Sequence, residues 1–147
     1  MPSPWFDNAL ARLRDASGRS GGARREVVAH LDRQTCCRSA QEIHDELRGD
    51  GVRIGMASVY RALDGLDQLG LVQRVDLGDG VARFERAEPH GEHHHHLVCD
   101  SCGKVEPFED SGLEAAIDRV GAGRGYAVAA HDVVLRGACE DCRHERG

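Results

Sequence analysis

The sequence predicts a mixed α/β (α+β) protein in two parts, an N-terminal winged helix and a smaller C-terminal α/β domain with a four-cysteine zinc site. Helical patterns fill the first half and end in a β-hairpin, which is the element order of a winged helix. Two Cys-x-x-Cys pairs lie in the last third of the chain. The order of helices and hairpin also fits a small α+β packing module, so the pattern alone leaves that alternative open.

Four helical segments are predicted in the first half from apolar residues at helical spacing. The segment Ser39-Ala40-Gln41-Glu42 has the form of a capping box, in which a serine hydroxyl and a glutamate carboxylate accept opening N–H groups. Asp79-Gly80 supplies the turn of the hairpin that follows. The expected helices cover residues 5–14, 24–31, 40–49 and 57–69, and the expected strands cover 71–75 and 82–85.

The second half is predicted to contain short strands at 97–99 and 105–108, a helix, and a long strand at 126–135. A second capping box, Ser111-Gly112-Leu113-Glu114, opens the helix. A unit of about fifty residues rarely buries enough apolar surface to be stable alone, so we expect a metal to stabilise it. The expected domains are 1–86 for the first, 87–92 for a hinge linker and 93–147 for the second.

Length and charge restrict the classes of protein that the chain can represent. Its 147 residues contain no apolar window of ~18 residues and no N-terminal secretory signal, so we expect a cytoplasmic protein with no membrane partner. The net charge of −6 argues against a wholly basic nucleic-acid binder. Residues 1–38, however, hold seven arginines and four acidic residues, which is compatible with DNA binding by the first half.

Four cysteines have the spacing of a structural zinc site. Cys99 and Cys102 form one pair, and Cys139 and Cys142 form another. Four thiolates at about 2.3 Å make a closed tetrahedron with no position for a reactive water, so such a site is structural. A redox-active or merely buried thiol pair is the alternative, and the repetition of the motif in a reducing compartment argues against it.

A run of four histidines, His93 to His96, precedes the first cysteine pair. In an extended chain, His94 and His96 share one face and His93 and His95 share the other, so one strand can serve two metal sites. An internal expression tag and a solvated polar run are the alternatives. Candidate partners elsewhere in the chain are Cys37, Glu85, Glu114 and His131, although a lone cysteine or histidine is more often a core residue.

These motifs together resemble those of the ferric uptake regulator family of dimeric, metal-dependent bacterial repressors. The resemblance rests on Ser39-Ala40-Gln41-Glu42-Ile43, on residues 54–63 with Ser58-Val59-Tyr60-Arg61, and on the histidine run leading into Cys99. It covers residues from about Arg24 to Cys142. It implies a winged-helix DNA-binding domain, a dimerisation domain, a structural zinc ion and one or two sensory metal sites.

The resemblance also implies a role for individual residues. Cys99, Cys102, Cys139 and Cys142 correspond to the structural zinc ligands. Glu85, His94 and His96 correspond to an interdomain sensory site, with Cys37 at the place of its fourth ligand. His93, His95, Glu114 and His131 correspond to a second metal site within the dimerisation domain. The residues corresponding to DNA contacts are Ser58, Tyr60, Arg61, Arg24 and Arg19.

Two departures from the family pattern bear on the metal. Cys37 stands where a histidine is common, and this softer ligand favours zinc over ferrous iron. Relatives that sense zinc usually place a cysteine in the linker, where this chain has Ala87 and Pro89. Pro107 stands where many relatives have an acidic ligand of the second site, and the neighbouring Glu106 would point the other way on a strand.

The expected function is therefore a homodimeric, metal-responsive repressor of metal-uptake genes that binds double-stranded operator DNA. Zinc is favoured slightly as the sensed metal, with ferrous iron as the alternative and a peroxide sensor after it. No His-Glu-x-x-His helix is present, so a zinc hydrolase with a small organic substrate is not expected. A protein-binding zinc ribbon is a further alternative. Cys36, His90 and His144 receive no role from the sequence.

Overall fold

The computed structural model describes residues 2–18, 21–87 and 94–144, and the chain divides into two compact units, residues 1–91 and 92–147. Each unit combines helices with a three-stranded sheet, which confirms the predicted fold class. Within the described residues, no helix is long and apolar enough to cross a membrane.

The elements of the first unit are α1 (Pro4–Ser17), α2 (Gly22–Arg33), β1 (Arg38–Ser39), α3 (Ala40–Gly49), α4 (Met56–Gln68), β2 (Val72–Asp76) and β3 (Ala82–Arg86).

The helices of the first unit begin and end at the signals that the sequence carries. The predicted capping box is present at α3, where the Glu42 amide donates to Ser39 Oγ at 3.1 Å and the Ser39 amide donates to Glu42 Oε1 at 3.0 Å. Gly70, with φ of 70°, follows α4 in the left-handed conformation that glycine adopts without strain. The first two helices extend one to three residues beyond each predicted end.

The sheet of the first unit is antiparallel in the order β1-β3-β2, and β2 and β3 form the predicted hairpin. The short strand β1, which the sequence pattern did not predict, pairs Arg38 with Phe84 and Ser39 with Arg83. One apolar cluster joins one face of each helix to the hairpin. Its buried members are Phe6, Ala9, Leu13, Val27, Val28, Leu31, Ala40, Ile43, Leu47, Val59, Ala62, Leu63, Leu66, Leu71, Val72 and Phe84.

A polar clamp, formed by Ser3, Trp5, Asp32, Leu71 and Arg86, connects the N-terminal helix to the end of β3. The Asp32 carboxylate accepts hydrogen bonds from the Ser3 amide at 3.1 Å, from the Ser3 hydroxyl, and from Arg86 Nη1 at 3.1 Å. The Trp5 indole N–H donates to the Leu71 carbonyl at 3.0 Å, and the Arg86 guanidinium lies over the Trp5 ring. The clamp therefore fixes the last residues of the hairpin.

Replacing Asp32 by asparagine is expected to destabilise the first unit by about 1.5 kcal/mol at neutral pH, since hydrogen bonds to a charged group are lost. Burial raises the pKa of Asp32, but the bonds from Ser3 and Arg86 outweigh it and hold that pKa below its ordinary value of 3.8. The stabilisation is therefore present above about pH 4 and is lost as pH falls through the folded-state pKa. Denaturant titrations followed by fluorescence of Trp5, the single tryptophan, would measure it.

The exposed Asp15→Asn change on α1 is the matched control and should alter stability by less than about 0.5 kcal/mol. An Asp32→Asn loss that is equally large at pH 7 and pH 3 would contradict the ionic role.

The second unit contains β4 (His95–Cys99), β5 (Val105–Phe108), α5 (Ser111–Gly123), β6 (Val134–Gly137) and α6 (Glu140–Arg143). Its sheet has the order β5-β4-β6, with β4 antiparallel to β5 and parallel to β6. Strand β4 begins two residues earlier than predicted and so takes in His95 and His96. The histidine run therefore enters the central strand of the sheet.

Two details of the second unit correct the sequence predictions. Asp110, and not Ser111, caps α5, because its carboxylate accepts the Leu113 amide at 2.9 Å; the predicted second capping box is wrong. The predicted strand at 126–135 is also wrong over most of its length. The parallel register pairs His96 with Val134, and β4 begins at His95, so residues before 133 extend past the end of their neighbouring strand.

The core of the second unit is small. Among its described residues, the buried side chains are those of Cys99, His95 and His96. Apolar side chains on α5 and on residues 126–130 form instead an exposed groove, with Val120 62% and Tyr126 75% exposed. The unit thus lacks the apolar burial that normally stabilises a domain, as its length predicted.

Candidate metal centres and nucleic-acid interface

The four predicted zinc ligands lie together in the second unit. Cys99 ends β4, Cys102 lies in the turn before β5, and Cys139 and Cys142 lie at α6, with their four sulfur atoms within 4.8 Å of one another. The Sγ atoms of Cys102 and Cys139 are 3.8 Å apart. A tetrahedral zinc ion with Zn–S bonds of about 2.3 Å separates its sulfurs by about 3.8 Å, so the donor set and its spacing fit zinc.

The electrostatics of this cysteine cluster favour a thiolate at Cys99. The backbone amides of Cys102 and Cys139 donate to Cys99 Sγ at 3.5 and 3.3 Å. These hydrogen bonds lower the pKa of Cys99 to about 6, so its thiol ionises more readily than a free cysteine. Zinc binds the deprotonated sulfur, and the cluster therefore provides one ligand already in the required form near neutral pH.

A second candidate metal centre lies between β4 and α5. The carboxylate of Glu114 contacts two imidazoles, with Oε1 2.5 Å from His95 Nε2 and Oε2 2.6 Å from His131 Nε2. His95 is 1% exposed, whereas Glu114 and His131 are partly exposed, so the arrangement extends from the interior of the unit toward its surface. Two imidazoles and a carboxylate are ligands that suit zinc and iron. His93, the fourth residue predicted here, lies outside the described residues.

The other two histidines of the run have different surroundings. His96 is buried, whereas His94 is partly exposed, with its Nε2 3.0 Å from Glu109 Oε1. Glu109 is not among the site residues predicted from the sequence. The signal that could have found it is the register of the β4–β5 pair, because His95 pairs with Phe108 and one further step brings His94 opposite Glu109. Glu106 instead pairs with Lys104, at 2.7 Å.

Cys37 and Glu85 both lie buried in the first unit, at the sheet. Strand β1 pairs Arg38 with Phe84, and one further step of this antiparallel register sets Cys37 opposite Glu85. The Glu85 carboxylate also accepts a hydrogen bond from Gln73 at 2.5 Å. The adjacent Cys36 thiol, burial and the charge of Glu85 raise the pKa of Cys37 well above its usual range. The thiol is therefore protonated until a cation replaces its proton.

The predicted DNA-contacting side chains lie on the side of α4 opposite the core. Tyr60 is 50% exposed, and the exposed Arg61 donates through Nη2 to Ser58 Oγ at 3.2 Å. Val59 and Leu63, on the inner face of the same helix, are fully buried. Arg24 lies in the first turn of α2 and donates to Ser17 Oγ, while Arg19 lies outside the described residues. Helix α4 thus presents polar and aromatic groups to solvent, immediately before the hairpin.

The chain combines a winged helix with a four-thiolate centre and a histidine–carboxylate centre. This combination defines a metal-binding regulator of transcription. The sequence profile of the ferric uptake regulator family matches residues 16–136. The chain belongs to this family, whose regulators bind DNA as dimers and are not enzymes. It is accordingly a metal-responsive transcriptional repressor. Three predictions from the sequence are thereby confirmed: the family, the class of function, and that the protein is not an enzyme.

Individual relatives include both iron and zinc regulators. The ferric uptake regulation protein of Neisseria meningitidis is 32% identical over 140 residues, covering 92% of this chain and 94% of the relative. The zinc uptake regulation protein of Mycobacterium tuberculosis is 38% identical over 128 residues, covering 87% and 97%. The crystal structure of the Vibrio cholerae ferric uptake regulator has a TM-score of 0.76 at 34% identity and covers 90% of this chain and 100% of that chain.

Proposed function

We propose that this protein is a cytoplasmic, zinc-sensing repressor of metal-uptake genes, and that Cys37 and Glu85, together with His94 and His96, hold the sensory zinc ion. The observation that carries the proposal is the buried Cys37 thiol in register with Glu85. A thiolate ligand shifts a site from the nitrogen and oxygen donors that suit iron and manganese toward zinc. A site of histidines and carboxylates alone would favour the ferrous-iron alternative, or a peroxide sensor.

The ligands of this sensory site come from both units of the chain, and that origin supplies the mechanism. Cys37 belongs to the loop that leads into α3, and Glu85 belongs to the hairpin, so a shared ion fixes the loop, the hairpin and the histidine strand together. A zinc ion supplies a fixed coordination geometry here and no chemical reaction. In the absence of the ion, these segments lack that common attachment.

DNA binding is assigned to α4. In this proposal Tyr60 and Arg61 contact base edges, and Ser58 accepts a hydrogen bond that orients Arg61. Arginine can contact guanine through two hydrogen bonds in the major groove. Arg24 and Arg19 are assigned to phosphates, which gives an affinity that falls with salt concentration. A homodimer would present two such helices to the two half-sites of an operator.

The exposed apolar groove of the second unit supports the homodimer. Val120 and Tyr126 leave large apolar areas in water, and such patches on soluble domains mark interaction surfaces. A second copy of the chain would cover this groove and supply the apolar burial that the second unit lacks. The centre formed by His95, Glu114 and His131, with His93, is assigned as the second metal site in the same unit.

The serine variant of Cys37 tests the choice of metal. Protein that retains its structural zinc would be titrated with a duplex selected from a random-sequence pool, at buffered free zinc or buffered ferrous iron. Zinc should raise the affinity of the wild-type protein for this duplex about 5–150-fold, the usual range of such coupling. Cys37→Ser should lose most of that increase.

The same titration separates the alternatives. If ferrous iron alone raises the affinity for DNA, and Cys37→Ser responds to it as the wild-type protein does, the protein is an iron regulator and the Cys37 thiol is not a ligand. Glu109→Gln, which changes a carboxylate beside His94 without removing an assigned ligand, is the matched control and should retain the zinc response.

Arg61→Ala tests the assignment of α4. The variant should bind the selected duplex about 10–100-fold more weakly, because a two-bond contact to guanine contributes about 1–3 kcal/mol of discrimination. Fluorescence anisotropy with selected and scrambled duplexes would measure both the affinity and the specificity. Arg119→Ala, which removes an exposed arginine from α5, is the control. Equal losses in the two variants would indicate only a general charge effect.

A further inference from the structure

Cys36 lies next to Cys37 in the first unit, and its position suggests a role that the sequence did not provide. We propose that Cys36 is a second thiolate ligand of the sensory metal and takes the position assigned above to His94, whose imidazole contacts Glu109. The four-ligand site is then a dithiolate centre selective for thiophilic divalent cations. The proposal rests on the function proposed above, in which Cys37 is a ligand, and it names the residue that sets the specificity of that site.

The distance between the two sulfur atoms carries the proposal. Cys36 Sγ and Cys37 Sγ are 3.9 Å apart. Two thiolates on one tetrahedral ion are separated by about 3.8 Å, and the pair formed by Cys102 and Cys139 in the zinc-type cluster of this protein has that same 3.8 Å separation. Neighbouring side chains of an extended strand point to opposite faces. The chain bends at Thr35 and Cys36, and both sulfurs consequently lie on one side.

The surroundings of the pair hold the sulfurs in place. Gln34 Nε2 donates to the Phe84 carbonyl at 2.8 Å, and Arg38 Nη1 donates to the Cys37 carbonyl at 3.1 Å, so the backbone is fixed on both sides of the two cysteines. Both thiols are buried, yet neither belongs to the apolar cluster that forms the core of the first unit.

The chemistry of this donor set determines which cations it can hold. Cys36 and Cys37 contribute two sulfur donors, and Glu85 contributes an oxygen donor from the facing strand. Thiolates select zinc and cadmium over manganese and ferrous iron, which prefer nitrogen and oxygen donors.

Cobalt(II) spectroscopy tests the proposal directly. The four-cysteine cluster would first be filled with zinc, and Co²⁺ would then be added under a reductant to wild-type, Cys36→Ser, Cys37→Ser and doubly substituted protein. Sulfur-to-cobalt charge-transfer absorption in the near ultraviolet grows with the number of Co–S bonds. We expect about half the wild-type intensity in each single variant and none in the double variant. Affinity for zinc should fall in Cys36→Ser by more than the about 10–100-fold that loss of an outer-shell partner costs.

The outcomes distinguish this proposal from the one on which it rests. Full intensity in Cys36→Ser with none in Cys37→Ser would overturn the role of Cys36 and leave Cys37 as the thiolate of a zinc sensor. Full intensity in Cys37→Ser, or none in the wild-type protein, would overturn both proposals. Trp5 fluorescence during denaturant unfolding would confirm that each variant retains its first unit.

A measurement on the wild-type protein covers the case in which serine variants fail to fold. Cadmium-113 resonances move downfield with each thiolate, and the four-cysteine cluster of the same chain is the internal reference. We expect the sensory resonance upfield of that reference, at a shift typical of two thiolates. A shift typical of one thiolate would overturn the role of Cys36.

Discussion

Replacing Cys139 by serine is expected to unfold the second unit while the first unit stays folded. The substitution removes one of four sulfur ligands, and serine hydroxyl is a poor ligand for zinc at neutral pH. In small metal domains, the free energy of metal binding is the free energy of folding. The second unit fits that description, because its buried side chains within the described residues are one cysteine and two histidines.

Zinc content and the dispersion of amide resonances would measure the loss. The variant should retain no tightly bound zinc in the second unit and should show collapsed resonances for residues 94–144, with an unchanged Trp5 unfolding transition. Glu140→Gln, beside the same cysteine and exposed, should behave as wild type. A well-dispersed spectrum from zinc-free Cys139→Ser would show that this unit does not depend on its metal for folding.

Replacing Leu63 by alanine is expected to destabilise the first unit by about 2–5 kcal/mol, the range for deleting a fully buried leucine side chain. Leu63 is fully buried on the inner face of α4 and belongs to the apolar cluster. Small domains have total free energies of unfolding of about 5–15 kcal/mol, so this loss is a large fraction of the total. Denaturant titration followed by Trp5 fluorescence would measure it in the first unit alone.

The partly exposed Leu10 on α1 is the matched position, and Leu10→Ala should cost less than half as much. Below its unfolding transition, Leu63→Ala should still distinguish the selected duplex from a scrambled one, because Arg61 is on the outer face of the helix. A cost under about 1 kcal/mol would mean that α4 does not pack as described.

Local signals in the sequence were sufficient for much of the fold. The capping box at Ser39 and Glu42, the glycine after α4 and the Asp79-Gly80 turn depend on residues a few positions apart, and each is present in the structure. The two Cys-x-x-Cys motifs belong to the same class of signal. A short motif fixes the direction of two thiols, and its repetition then indicates a single four-ligand site.

The parts of the fold and of the site that the sequence did not predict depend on pairing between distant segments. The strand expected at 126–135 stops short because the register of β6 on β4 leaves its first residues without a neighbouring strand. Glu109 and Glu85 reach their positions opposite His94 and Cys37 only through the registers of two antiparallel pairs. A periodicity of two identifies a strand and its faces, but register depends on which segment lies beside it.

The clamp between the N-terminal helix and Arg86 has a consequence for where this domain begins as a folding unit. The match to the family profile starts at residue 16, after nearly all of α1. A fragment cut at that point would lose Phe6, Ala9 and Leu13 from the core, together with Trp5 and Ser3 from the clamp. Arg86, at the end of β3, would then lose its contact with the Trp5 ring. The limits of the family profile therefore differ from those of the folded unit, because the first core residues and the clamp precede the profile.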